Sequence, residues 1–139
     1  MKDARMTDAA ALLLRVSLGT MFIAHALLKY FVFTPAGTAQ FFESLGLPGA
    51  LGYVTIGVEL VGGAMLILGV RTRVVALALV PVLLGATWAH SGNGWLFTSP
   101  NGGWEYPAFW TVTLVVQALL GDGALPVRSA NPISTAHRA

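Results

Sequence analysis

The sequence predicts an all-α protein, a transmembrane four-helix bundle with a short interfacial helix between its first and second helices. Composition is the first observation behind this. Of 139 residues, 55% are hydrophobic and only 10% are charged, against about 25% charged in an ordinary soluble domain. Mean hydropathy is +0.71. The second observation is segmentation: long apolar runs alternate with Gly- and Pro-marked turns. The third is the stretch from Ala9 to Phe33, which is apolar over the roughly 20 residues a bilayer requires yet carries Arg15, His25 and Lys29. Steps of three and four residues place Arg15, Leu18, Phe22, His25 and Lys29 on one helical face. A charge at mid-bilayer costs about 2.5–3.5 kcal/mol on insertion scales, so this stripe must face other protein, a ligand or water. The first helix therefore requires partner helices.

The elements follow in order. Residues 1–8 form a short polar tail, and residues 9–121 a single transmembrane domain. After Phe33, Thr34-Pro35-Ala36-Gly37 is a turn signal. Thr38 caps a short helix whose Phe41, Phe42 and Leu45 oppose Gln40, Glu43 and Ser44. Too short to span, it lies in the interface. The second span is Leu51–Val70, with Thr55, Glu59, Gly62, Leu66 and Gly69 on a narrow face suited to close packing. Arg71-Thr72-Arg73 is a basic turn. The third span, Val74–His90, contains Pro81, which a transmembrane helix can tolerate as a kink. A loop rich in Gly, Asn and Trp leads to the fourth span, Tyr106–Gly121, which is short for the hydrocarbon thickness. Residues 122–139 form a polar, mobile tail.

Charge sets the expected topology. The net charge of +2 is too small to indicate a nucleic-acid surface, and its few cations read as topology signals. Lys2, Arg5, Arg71, Arg73, Arg128 and Arg138 fall in the two tails and the turn between the second and third spans. By the positive-inside rule both termini are cytoplasmic. All four Trp lie between Trp88 and Trp110, which reads as an aromatic belt on the outer side. The absence of Cys excludes thiol redox chemistry and Cys-ligated metals for this chain acting alone.

Helix direction then places the polar groups in depth. His25 lies eight residues before Phe33, and Glu59 eight after Leu51, each roughly 12 Å below the outer end at 1.5 Å per residue. Lys29 is one turn higher, and His90 and Glu105 mark the outer ends of their helices. The expectation is an outward-facing polar pocket in which Lys29 balances Glu59 or Glu105, with two histidines available. Arg15 alone sits in the other half, where it can snorkel.

These residues also carry a resemblance. His25-Ala26-Leu27-Leu28-Lys29 resembles the HGxxK signature in the first helix of DoxX family membrane proteins, with Ala26 where Gly is usual. The resemblance continues through Leu45-Gly46-Leu47-Pro48, Val58-Glu59-Leu60-Val61-Gly62-Gly63, Gly69-Val70-Arg71-Thr72-Arg73, His90, Asn93-Gly94-Trp95 and Gly103-Trp104-Glu105-Tyr106-Pro107. It spans about residues 12 to 121 in order. Single motifs are weak; the ordered set is specific. The resemblance implies a four-helix membrane fold and a role beside membrane oxidoreductases, because the family takes its name from the small membrane subunits of a thiosulfate:quinone oxidoreductase.

On that basis the catalytic candidates are Glu59 and His25, with Lys29, His90, Glu105, Trp95 and Tyr106 as substrate-binding candidates. Glu59 is either a proton acceptor for a quinone or one half of a structural ion pair with Lys29. His25 is either a quinone or proton ligand or a core histidine bonded to a carbonyl. Trp95 to Tyr106 can cap the pocket or dock a partner. Quinone is the one cofactor expected; metal and flavin are not, since no local motif supports them, and haem is not, since His25 and His90 differ in depth. Membrane lipid and redox protein partners are expected, and a homo-oligomer is compatible. The alternative is a non-enzymatic accessory or assembly protein, or a small-molecule transporter.

Overall fold

The computed structural model describes residues 1–127, and over them it is all-helical, with no strand. Its helices are α1 (Lys2–Phe31), α2 (Pro35–Ser44), α3 (Ala50–Leu68), α4 (Thr72–His90) and α5 (Glu105–Leu120), with one 3-10 turn at Ser91–Asn93. α1 and α3 are each long and apolar enough to cross a membrane, and so is α4 together with that turn. α5 has 16 residues, roughly 24 Å at 1.5 Å per residue, short of a 30 Å hydrocarbon core. Four spans were expected, and three helices meet the length requirement.

Several boundaries differ from expectation for local reasons. α1 starts at Lys2, so the polar tail is helical: no Gly or Pro interrupts residues 2–8, Asp3 sits favourably in the first turn, and Thr7 bonds the Asp3 carbonyl at 2.9 Å. α2 is capped by Thr34, not Thr38. The Thr34 hydroxyl accepts from the Gly37 N–H at 3.1 Å, and Pro35 occupies a first-turn position where its missing N–H is harmless. Thr38 is buried instead and donates to the Lys29 carbonyl at 3.2 Å, tying α2 to the end of α1. α4 continues through Pro81.

The helices share one core. α1 packs chiefly on α3 and α4 on α5, with smaller contacts from α3 to α4 and α1 to α5. Leu18 and Phe22 of α1 meet Leu66 of α3, Leu79 and Leu83 of α4, and Trp110 and Leu114 of α5. In lipid no hydrophobic force draws helices together, so close backbone packing and polar contacts must do so. The tightest approach is between Gly19 and Gly63. A methyl group on Gly19 would sit 2.5 Å from the Gly63 carbonyl oxygen, and one on Gly63 2.8 Å from that of Gly19. The narrow face read from the sequence is divided: Glu59 meets Lys29 of α1, whereas Gly62 lies under Leu79 of α4, and the glycine at the α1 crossing is Gly63, outside that face.

Arg15 does not snorkel. It is 1% exposed, and all of its N–H groups have carbonyl acceptors. Nε donates to Asp122 at 2.9 Å, Nη1 to Leu66 at 3.1 Å and to Ile67, and Nη2 to Ala124 at 2.7 Å and Leu125 at 3.1 Å. Leu66 and Ile67 belong to the last turn of α3, where carbonyls lack helical partners and a cation is favoured. The other end carbonyls of α3 are also satisfied. Val70 N–H reaches Met65, Gly69 N–H in the left-handed C-cap reaches Leu66, and Val127 N–H reaches Leu68 at 2.8 Å.

The segment Asp122–Val127, expected to be mobile, is therefore held in place. The Asp122 carboxylate also accepts from the Thr72 N–H at the start of α4, at 3.1 Å, and the Ala124 N–H donates to the Asp8 carbonyl at 3.1 Å. Arg128, Pro132 and Arg138 lie outside the described residues.

Two outcomes are expected. Gly19→Leu lowers stability by about 2 kcal/mol or more through overpacking, while Gly57→Ala, whose methyl meets nothing within 4 Å, leaves it unchanged; thermal melting in detergent measures both. Arg15→Met costs about 3 kcal/mol, since several buried carbonyls lose their donor at once, and Arg15→Lys recovers little because an ammonium lacks the planar fork. Protease cleavage near residues 122–127 rises in both Arg15 variants.

Candidate functional site

The stripe on α1 is indeed a buried face: Arg15, Leu18, Gly19, Phe22 and Ala26 are among its inward residues. His25 and Lys29 continue it toward the far end, where α3 runs alongside. There the side chains of Lys29 and Glu59 meet. Lys29 Nζ lies 3.0 Å from Glu59 Oε1 and 2.9 Å from Oε2. Glu59 is 3% exposed, and Lys29 retains about a fifth of its side-chain surface. Of the two partners open to Lys29 in the sequence, the structure selects Glu59. The pair spans α1 and α3 beyond the Gly19–Gly63 crossing, so the close backbone approach sets the depth at which the two charges meet.

His25 stands beside this pair, within electrostatic range of Glu59. Its Nδ1 is 2.8 Å from the Met21 carbonyl. A carbonyl only accepts, so Nδ1 carries the proton in that bond and Nε2 holds a lone pair in the neutral ring. Among the described residues Nε2 has no hydrogen-bond partner. Aromatic rings of α5 flank the imidazole, Trp110 at 4.8 Å between centroids and Tyr106 stacked at 6.1 Å. Tyr106 and Trp110 are four residues apart and present the same helical face to α1.

The other candidates do not join this group. His90 bonds the Ala86 carbonyl through Nδ1 at 2.7 Å, one helical turn back, and its ring borders Gly102 of the following loop. Glu105 accepts the Phe97 N–H at 3.0 Å, and Trp95 packs edge-on against Trp104 at 4.5 Å. These groups knit the loop between α4 and α5, helped by Asn93, whose side-chain amide donates to the Asn101 and Gly102 carbonyls. The single pocket expected from helix depth thus resolves into a site at His25, Lys29, Glu59 and Tyr106 and a separate loop assembly at His90, Trp95 and Glu105. Equal depth does not confer equal facing. No cluster of three His, Asp or Glu suited to a metal occurs among the described residues.

Two buried residues with polar groups are not evident from the sequence. Trp110 is 4% exposed and packs on Phe22 at 4.6 Å, so it is a core residue and not part of a belt. Its spacing from Tyr106 was the available signal. Gln117 is fully buried, its amide donating to the Ala11 carbonyl at 3.2 Å and the Gly121 carbonyl at 2.9 Å. In the sequence it is one polar residue in an apolar run.

A family model, DoxX, matches residues 10–92. The chain belongs to the DoxX family. The matched region holds every residue of α1 from Ala10 onward, all of α2, α3 and α4, and both members of the ion pair. A Bacillus subtilis (strain 168) protein named "Putative oxidoreductase CatD" is 40% identical over 79 residues, 57% of this chain and 58% of that relative. The match thus spans little more than half the relative's length. No solved structure matches the chain. Membership of DoxX and three apolar helices of spanning length make this a membrane protein.

Lys29→Met leaves the Glu59 carboxylate buried without its partner and is expected to cost on the order of 3 kcal/mol. The double variant Lys29→Met, Glu59→Leu regains most of that loss. Melting of the two singles and the double in one detergent gives the coupling directly.

Proposed function

We propose that this DoxX protein is a small integral subunit of a quinone-linked oxidoreductase. In this reading α1, α3, α4 and the shorter α5 cross the bacterial inner membrane as a bundle with both termini cytoplasmic. A buried ion pair beside a histidine with a free ring nitrogen carries this reading. In hydrocarbon an ionisable pair is expensive and marks a functional site by default. The name of the Bacillus subtilis relative, an oxidoreductase, points to the same class.

The quinone here is a substrate. Its reduction takes two electrons and two protons for each quinone converted to quinol. The sequence carries no Cys and shows no flavin or nucleotide motif, so a protein partner supplies the electrons. This chain binds the ring and handles protons. The geometry suits both roles. Tyr106 and Trp110 offer aromatic surface, the Tyr106 hydroxyl is a donor for a quinone carbonyl oxygen, and His25 Nε2, holding a lone pair while Nδ1 carries the proton, accepts from a quinol hydroxyl. Glu59, held by Lys29, exchanges protons with the site through His25.

A second reading has its own support. Both Glu59 oxygens are engaged by Lys29, which suits a clamp between α1 and α3 in a non-enzymatic accessory protein.

Glu59→Gln in the intact complex separates the two. The redox role predicts quinone reduction lowered at least tenfold in a complex that still assembles. Full turnover in that variant would remove the redox assignment. Loss of the complex itself, with turnover per assembled complex unchanged, would establish the accessory role.

A further inference from the structure

An open groove of about 520 Å³ runs between α3 and α4 on the outer surface of the helices. Val54, Gly57, Val61 and Met65 line it from α3, and Val74 and Ala78 from α4. Every lining residue is apolar. The groove exists because α3 and α4 touch less than α1 with α3 or α4 with α5, and because Gly57 contributes no side chain, its Cβ position meeting nothing within 4 Å. From Val54 to Met65 it follows twelve residues of α3, roughly 16 Å end to end at 1.5 Å per step. That is the depth of one leaflet, half of a hydrocarbon core of about 30 Å.

One end of the groove lies at the tight turn joining α3 to α4, and there the chain carries Arg71. Arg71 caps the start of α4 in a left-handed conformation (φ 46°), three residues before Val74, which lines the groove. Its side chain is exposed and makes no hydrogen bond or ion pair among the described residues. The neighbouring Arg73 is directed elsewhere: its guanidinium lies against Gly121 at the end of α5, where an added methyl would approach Nε to 2.8 Å.

We propose that this groove is a binding site for one anionic phospholipid, with an acyl chain along α3 and α4 and the phosphate at Arg71. An apolar channel one leaflet deep suits a lipid tail. An exposed cation at headgroup level selects lipids of net negative charge over zwitterionic ones, since basic groups at the membrane surface attract the former. The site is independent of the ion pair at Lys29 and Glu59, which lies on the opposite side of α3, against α1.

The test is native mass spectrometry of the full chain in mild detergent, titrated with phosphatidylglycerol or phosphatidylcholine of equal chain length. The wild type is expected to retain a single phosphatidylglycerol at several-fold lower lipid concentration than phosphatidylcholine. Arg71→Gln should abolish that preference, whereas Arg73→Gln should keep it. Gly57→Leu, which has room for its side chain, should lower retention of both lipids while leaving melting unchanged. Equal retention of the two lipids by the wild type, or an unaltered preference in Arg71→Gln, would overturn the proposal. So would undiminished lipid retention in Gly57→Leu, or a disulfide between copies of Ala78→Cys showing that a second chain covers the groove.

Discussion

Burying a guanidinium among apolar helices is tolerable only when all of its donors are engaged, and Arg15 meets that condition with five backbone carbonyls and, among the described residues, no carboxylate in direct contact. The acceptors come from the end of α3 and from the segment after α5, two regions far apart in sequence. Arg15 therefore joins the first helix, the third helix and the C-terminal segment at one point. Asp122 extends the connection to α4 by accepting from Thr72. The charge is offset partly by the negative end of the α3 dipole and partly by this nearby carboxylate. Remove the guanidinium and the α3 end carbonyls, the Asp122–Val127 segment and one end of the helix assembly lose their common anchor.

At the opposite end the same helix pair is held by Lys29 and Glu59. Between the two polar contacts lies the crossing of Gly19 and Gly63, where the backbones come too close for a side chain. This arrangement answers the difficulty posed by lipid, which gives no hydrophobic reward for bringing helices together. Steric closeness at the middle and polar attachment at each end make α1 and α3 a rigid pair. The candidate site is built on that pair, with α5 contributing Tyr106 and Trp110 from a third direction.

Much of this is legible in the sequence because helical periodicity reports facing. The stripe through Arg15, Leu18 and Phe22 is the buried face of α1, and the boundaries of α3 and α4 fall within about two residues of the apolar runs. Depth counting sets Glu59 level with His25 and Lys29 one turn higher, and the long Lys29 side chain makes the contact with Glu59. Depth alone, however, carries no azimuth, and so it draws His90 and Glu105 into a pocket they do not line. Polar composition suggests an end to α1 near residue 8, although only Gly or Pro would have broken the helix there. Arg15 is illegible for another reason. Its acceptors are main-chain carbonyls, and every residue has one, so no side-chain pattern could reveal them. Trp110 is hidden by the company of three other tryptophans near the membrane surface.

The order of synthesis gives the Arg15 connection a further meaning. The first helix is made and enters the bilayer long before residues 122–125 exist. During that interval its guanidinium has at most the α3 carbonyls for company, and then only once α3 has arrived. Three of its five bonds wait for residues 122–125 to leave the ribosome. The connection thus acts as a completion check. A chain released early keeps an under-satisfied cation in an apolar setting, and only a chain that reaches this segment closes the assembly and hides it.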